Sequence, residues 1–346
     1  MKFYPLLLCL LGTASLFAQQ PYYNDVDLSL TGQDLYLELQ QKISIASSTY
    51  TYGDIRDDVK ITDEDPANTN NVLLVYGYND SDGNCLTDRT RDKDDFGGTS
   101  CEYNREHVFA RSNANPPMGS ADNGTTGIAA DPHNVRPADQ AMNGLKSNKK
   151  FASGSGNAGD VSSGNWYPGD EWKGDVARMM MYMYTRYGDR CLPSLQGVGS
   201  TQGSTDMLVL YLQWNADDPV NEFEDQRNPH LENVYGNRNP FIDNPYLATL
   251  IWGGPIAEDR WGLASTEDFD AWELTLAPNP TSEVVEVTSE WPLDSYSIYT
   301  ITGQQITPSI PVNGATTINV SSLADGMYFI SFEANGQRQV ERLLVE

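Results

Sequence analysis

The sequence predicts an α+β chain in two parts, a large domain of helices and long loops followed by a small all-β sandwich. Three observations predict it. Apolar residues fall at helical spacing over residues 35–45 and 171–187, and irregular Asn-, Asp- and Gly-rich stretches lie between them. After Glu273 the pattern switches to short alternating runs broken by turn dipeptides. With 346 residues the chain can hold one large domain and a smaller one.

Residues 1–18 open with Lys2, continue with an apolar run from Leu6 to Leu11, and reach Ala18 through small residues. The run is too short to cross a bilayer, so it reads as a cleaved signal peptide. Cys9 sits inside that run, which disfavours a lipoprotein anchor. No other stretch is apolar enough for a membrane helix, so no stable membrane insertion is expected and the exported chain should be soluble.

Residues 19–255 form the expected large domain. The segment LYLELQQKISI (35–45) and the segment EWKGDVARMMMYMYTRY (171–187) are its clearest helices, and 206–214 predicts another. The Met-rich face of 171–187 reads as core packing, since flexible thioethers fill irregular gaps. Residues 256–272 are acidic and lack periodicity, as a linker would. Residues 273–346 then carry strand-like runs at 284–287, 296–301, 316–320 and 328–332. Pro278-Asn279-Pro280, Asn313-Gly314, Asp325-Gly326 and Asn335-Gly336 separate them, the rhythm of an antiparallel β-sandwich.

Removing the signal leaves Cys85, Cys101 and Cys191. Export into an oxidising space predicts a Cys85–Cys101 bridge, with Cys191 a buried free thiol. No CxxC pair supports structural zinc. Asp80-Ser81-Asp82-Gly83 hints at a calcium loop, but Tyr78 and Arg89 stand at its first and last ligand positions.

A net charge of −26 argues against indiscriminate binding of polyanions. The stretch 105–150 runs the other way: Arg105, Arg111, Arg136, Lys146, Lys149 and Lys150 face few carboxylates there. A locally basic site on an acidic body is therefore expected, helped where a bound cation adds charge.

The chain has three histidines, His107, His133 and His230. Two fall in the windows Asn104-Arg105-Glu106-His107 and Asp131-Pro132-His133-Asn134-Val135-Arg136-Pro137, and Met142-Asn143-Gly144 follows. On a strand, Glu106 and His107 would face opposite ways and serve a metal and a water separately. A Glu carboxylate and an Asn carbonyl suit a hard cation such as magnesium or calcium. A neutral imidazole can take the proton from water attacking phosphorus. The alternative for such a string is a histidine that only orders its loop.

Together these segments resemble the bacterial endonuclease I family, whose cores are ββα-metal, or His-Me finger, nucleases. The matching pieces are Glu106-His107, then Asp131-x-His133-Asn134 with Pro137. Asn143-Gly144-x-x-Ser147-Asn148 and Gly236-Asn237-x-Asn239-Pro240-Phe241 follow. The resemblance covers most of residues 35–246. It implies a ββα-metal core and a metal-dependent endonuclease acting on DNA, with RNA open as an alternative substrate, and with little sequence preference. It makes His107 the general base and Glu106 and Asn143 the ligands of Mg²⁺, with Ca²⁺ or Mn²⁺ as alternatives. Some relatives hold the cleaved phosphate with an Arg in a cysteine-rich insertion absent here, which leaves Arg136 or Arg111 for that role, Arg136 being the residue assigned. His133 is expected to order its loop, His230 to be structural, and 236–243 to be scaffold.

The tail resembles the C-terminal sorting domain of type IX secretion cargo, through Pro278-Asn279-Pro280, Gly326-Met327-Tyr328 and the β-rich end at Glu346. It implies a chain that meets the secretion machinery and is secreted or held at the cell surface via the periplasm; a monomer is expected. The competing reading is an exported binding or adhesion protein on a degenerate nuclease scaffold.

Overall fold

The structure, a computed structural model, describes residues 21–264, 273–312, 317–334 and 337–346; the signal-peptide reading lies outside them. The chain divides into two compact units at Ala264–Ser265. No helix among the described residues is long and apolar enough to cross a membrane.

The first unit opens with α1 (Gly32–Ser44), which buries Leu35, Leu39 and Ile43 at helical spacing. It starts ahead of the apolar pattern because its first turn is polar. Next comes α2 (Tyr52–Thr62), fixed at its start by a capping box. There Thr51 accepts from the Asp54 amide and Asp54 answers to the Thr51 amide. Strands β1 (Glu64–Asp65), β2 (Asn68–Leu73) and β3 (Thr90–Asp92) make an antiparallel sheet. Strands β4 (Tyr103–His107) and β5 (Val135–Asp139) make an antiparallel ribbon, and α3 (Gln140–Lys146) follows β5 directly. The ribbon β6 (Gly159–Val161) and β7 (Asn165–Tyr167) precedes α4 (Lys173–Tyr187).

The core forms around α4. Val176, Met179, Met180, Met181, Tyr182 and Met183 are all buried, so apolar contact surrounds the helix rather than lining one face. The methionines pack as the sequence predicts. The helix ends at Gly188, whose φ of +53° suits glycine and whose amide bonds to the Tyr184 carbonyl. A later helix covers Val209–Asp217, shifted from the expected 206–214 because residues up to Met207 close a turn onto Gln202.

The first unit also continues past 255, where the sequence pattern places a linker. Ala257 is buried, Arg260 pairs with Asp225 at 2.6 Å, and the Trp261 ring lies 5.2 Å from that of Tyr23. Cys85 and Cys101 form the expected disulfide with Cα atoms 5.4 Å apart, and Cys191 is free and buried.

The second unit comprises β8 (Leu274–Ala277), β9 (Val284–Ser289), β10 (Ser295–Thr300), β11 (Ile310–Pro311), β12 (Thr317–Asn319), β13 (Gly326–Ala334) and β14 (Gln337–Val345). They form two antiparallel sheets, in the orders β11-β10-β13-β14 and β12-β9-β8. Val285, Val287, Ile298, Ile318, Ile330, Phe332 and Leu343 fill the space between them.

Candidate active site

In the β4–β5 ribbon Glu106 stands opposite Arg136 and His107 opposite Val135. Side chains alternate along a strand, so Arg105 and His107 leave one face and Glu106 the other. Asp139 then caps α3 by accepting from the Ala141 and Met142 amides at 2.9 and 3.0 Å. Arg91 holds that carboxylate at 3.2 Å. The cap brings Asn143 against β4, where its Nδ2 donates to Asn104 Oδ1 at 2.7 Å. The result is a strand–strand–helix unit beside a cleft of ≈ 480 Å³. Tyr52, Arg105, Glu106, His107, Arg111, Asn143 and Ser147 are among the residues that line it.

His107 is buried, and its Nε2 lies 2.8 Å from the Ala129 carbonyl. A carbonyl only accepts, so Nε2 carries the proton and Nδ1 keeps its lone pair. Burial pulls the imidazole pKa down to about 4, which keeps the ring neutral at pH 7. Tyr52 stacks on the ring.

Glu106 places Oε1 3.3 Å from both Tyr76 Oη and Lys146 Nζ. Oε2 has no hydrogen-bond partner among the described residues, and neither has the side-chain Oδ1 of Asn143. Burial raises the Glu106 pKa against the pull of Lys146, and burial likewise lowers that of Lys146. No group of three or more His, Cys, Asp or Glu residues among those described could hold a metal. One carboxylate and one amide oxygen without protein partners nevertheless fit a hard divalent ion that keeps several waters, as magnesium does.

Two cations complete the cleft. The Arg105 guanidinium lies 3.7 Å from the Tyr52 ring centroid and donates to Asn123 Oδ1 at 3.2 Å. Arg111 donates to the Gly119 carbonyl. Neither forms an ion pair among the described residues.

The assignment of Arg136 to the phosphate needs correction. Its side chain is 1 % exposed, lies beside Asp63, and sits 2.8 Å from Asp175. Burial opposes its charge, but those carboxylates overcome this and raise its pKa. It does not reach the cleft; Arg111 does. Nearby, Arg178 and Arg227 pair with Glu224 and Asp63, so Arg136 belongs to a buried ionic cluster.

His133 lies under Tyr182, ring centroids 4.5 Å apart, with Nε2 3.3 Å from the Asn237 carbonyl. His230 pairs with Asp58 at 2.6 Å. Asn237 and Asn239 donate to the carbonyls of Ile43 and Arg178, which makes 236–243 a brace between helices.

Sequence reasoning missed Tyr52 and Tyr76, quoted Ser147 only as a matching motif position with no role, and noted Arg105 only within a motif window and a basic stretch. The alternation of Arg105 with His107 was a usable signal for the arginine. Three non-glycine residues among those described have positive φ: Tyr76 (73°), Cys101 (62°) and Ser147 (50°). Cys101 is in the disulfide, whereas Tyr76 touches Glu106 and Ser147 lines the cleft. Such conformations cost about 1–3 kcal/mol each and gather where the fold over-determines a site.

Both parts of the chain have counterparts among known proteins. Residues 31–246 match the family model described as Endonuclease I, and residues 275–346 match that of a secretion system C-terminal sorting domain. An extracellular ribonuclease of Bacillus subtilis is 38 % identical over 260 residues, covering 71 % of this chain and 83 % of that protein. An extracellular ribonuclease of Bacillus amyloliquefaciens is 38 % identical over 246 residues, 67 % and 78 % of the two chains. An extracellular deoxyribonuclease of Aeromonas hydrophila is 26 % identical over 126 residues, 34 % and 50 %.

Proposed function

The chain belongs to the endonuclease I family and carries a C-terminal secretion sorting domain, and from that premise we propose that it cleaves RNA and DNA alike with little sequence preference. It is a secreted or cell-surface nuclease, delivered through type IX secretion. Nucleases of this family are metal-dependent. The finer reading has His107 as the base and Glu106 with Asn143 as the seat of Mg²⁺, with Ca²⁺ or Mn²⁺ able to take its place. All these residues lie in one chain, so a monomer suffices.

One observation carries the reading. A neutral imidazole, tied through Nε2 to Ala129, shares a cleft with two oxygen donors that have no protein partner. Nδ1 of His107 takes a proton from water as its oxygen bonds to phosphorus. The phosphorus–oxygen bond to the departing nucleotide breaks, and the freed oxygen takes a proton from solvent. The Ala129 carbonyl steadies the imidazolium until it gives its proton back to solvent. A divalent ion, when bound, supplies positive charge to the phosphoryl oxygens as negative charge grows. Arg111 and Arg105 hold the strand by its phosphates, in surroundings where burial strengthens charge interactions. Substrate breadth rests on two facts: the relatives at 38 % identity are named ribonucleases, and a less similar one is named a deoxyribonuclease.

The test is cleavage of supercoiled plasmid and of a single-stranded RNA, with magnesium and with a chelator, for wild type and His107→Ala. The variant is expected to lose about 10²–10⁴-fold in rate. Magnesium affinity measured by calorimetry should stay near wild type in His107→Ala and fall in Glu106→Ala. A His107→Ala protein that cuts at the wild-type rate refutes the mechanism.

A further inference from the structure

Ser147 follows the last residue of α3 and adopts φ +50°, ψ −134°, a region that glycine occupies freely and other residues rarely. At the residue that ends a helix, glycine is the ordinary choice. A serine there is commonly excused by a hydroxyl that bonds to nearby backbone. That excuse is missing: Ser147 Oγ has no hydrogen-bond partner among the described residues, and the residue is exposed at the cleft. Its backbone amide bonds to the Asn143 carbonyl at 2.8 Å, which sets the hydroxyl one helical turn beyond Asn143. The chain keeps a strained Cβ at this point, and the only thing that Cβ brings is a hydroxyl facing the cleft.

We infer that Ser147 is a substrate-contacting residue, its hydroxyl donating to a non-bridging phosphate oxygen of the strand held in the cleft. The inference rests on the nuclease reading and deepens it. The surroundings favour backbone over base as the partner. Arg105 and Arg111 flank the same cleft without carboxylate partners. The lining tyrosine, Tyr52, is already engaged by His107 and Arg105, so its ring is not offered to a nucleobase. A cleft that grips phosphates and stacks no base binds without regard to sequence.

Glycine at 147 separates this role from a structural one, because it removes the hydroxyl and the strain together. Ser147→Gly is expected to raise Tm by roughly 2–4 °C and to weaken binding of a single-stranded oligonucleotide, measured in chelator, by about tenfold. KM for DNA and RNA should rise with it and kcat should change little. Ser147→Ala is expected to show the same loss of binding with no gain in Tm. Replacing single phosphates by neutral methylphosphonates along the oligonucleotide should reveal one position whose penalty is present in wild type and absent in Ser147→Gly.

Equal binding by wild type and both variants overturns the proposal. So does a loss confined to Ser147→Gly, which would place the effect in the backbone. A wild-type protein that neither binds nor cuts nucleic acid overturns the nuclease reading itself, an outcome distinct from either of these.

Discussion

The Tyr52 ring lies nearly parallel to the His107 imidazole, centroids 5.1 Å apart and planes 17° from coincidence, while the Arg105 guanidinium lies 3.7 Å from the centre of the same ring. Tyr52 is the first residue of α2, and the Thr51–Asp54 capping box fixes that end of the helix. The imidazole is thus held at Nε2 by Ala129 and across its face by Tyr52.

Removing the stacked ring should misplace the base without removing it. Tyr52→Phe is expected to cleave at nearly the wild-type rate, because the hydroxyl makes only a 3.4 Å contact with the Arg105 carbonyl. Tyr52→Leu is expected to lose about ten- to a hundredfold in kcat. Single-turnover rates at saturating substrate measure it, and equal kcat values for the two variants would show that the ring is not needed.

Arg111 and Arg136 should fail in opposite ways. Arg111→Ala is expected to raise KM about tenfold or more with little change in stability, since it loses a charge-assisted contact to phosphate. Arg136→Met leaves Asp63 and Asp175 short of a partner in the interior and is expected to cost about 3–5 kcal/mol of stability. The folded fraction of Arg136→Met should keep the wild-type KM. Chemical denaturation and initial rates on the same samples separate the two.

Acid should weaken the fold through His133. Burial lowers its pKa to about 4 from the ordinary 6.5 of a histidine, so the folded chain keeps the ring neutral where the unfolded chain protonates it. Its contribution is complete above about pH 6.5, is lost as pH falls toward about 4, and amounts to about 3 kcal/mol. Denaturation midpoints from pH 8 to pH 4 should fall more steeply in wild type than in His133→Gln, even though the variant starts lower. Parallel curves would remove His133 from the account.

Ending the chain after Ala264 should leave a folded, active nuclease that no longer crosses the outer membrane. The first unit keeps its own core up to Trp261 against Tyr23. Circular dichroism, plasmid cleavage and fractionation of cells expressing the shortened chain decide the matter. An insoluble or inactive product would mean that the tail supports the nuclease fold.

What was legible in the sequence was local. Glu106, His107 and Asn143 lie within a window of 38 residues, 106 to 143 inclusive, in motifs whose order resembles a known family. The methionines of α4 announced a core helix, and the turn dipeptides announced the β-sandwich. Partnerships made at long range were not legible. Arg136 looked available because its sequence neighbours are few in acid, yet Asp175, which claims it, stands 39 positions away. Tyr52 gains its role only when α2 packs across β4. The strain at Ser147 is a backbone torsion, which no residue pattern records.

A strand approaching this enzyme meets two fields of opposite sign. The chain as a whole carries −26, whereas Arg105 and Arg111 stand uncompensated at the cleft. Beyond about one Debye length, ~8 Å in physiological salt, the body's repulsion is screened away. In dilute buffer that repulsion reaches much farther and slows encounter. Association should therefore quicken as ionic strength rises from low values, until screening of the two arginines takes over, in contrast to the steady decline typical of basic nucleic-acid binders. The optimum makes ionic strength a kinetic filter: the enzyme works slowly in dilute surroundings and in concentrated salt alike, and fastest between them.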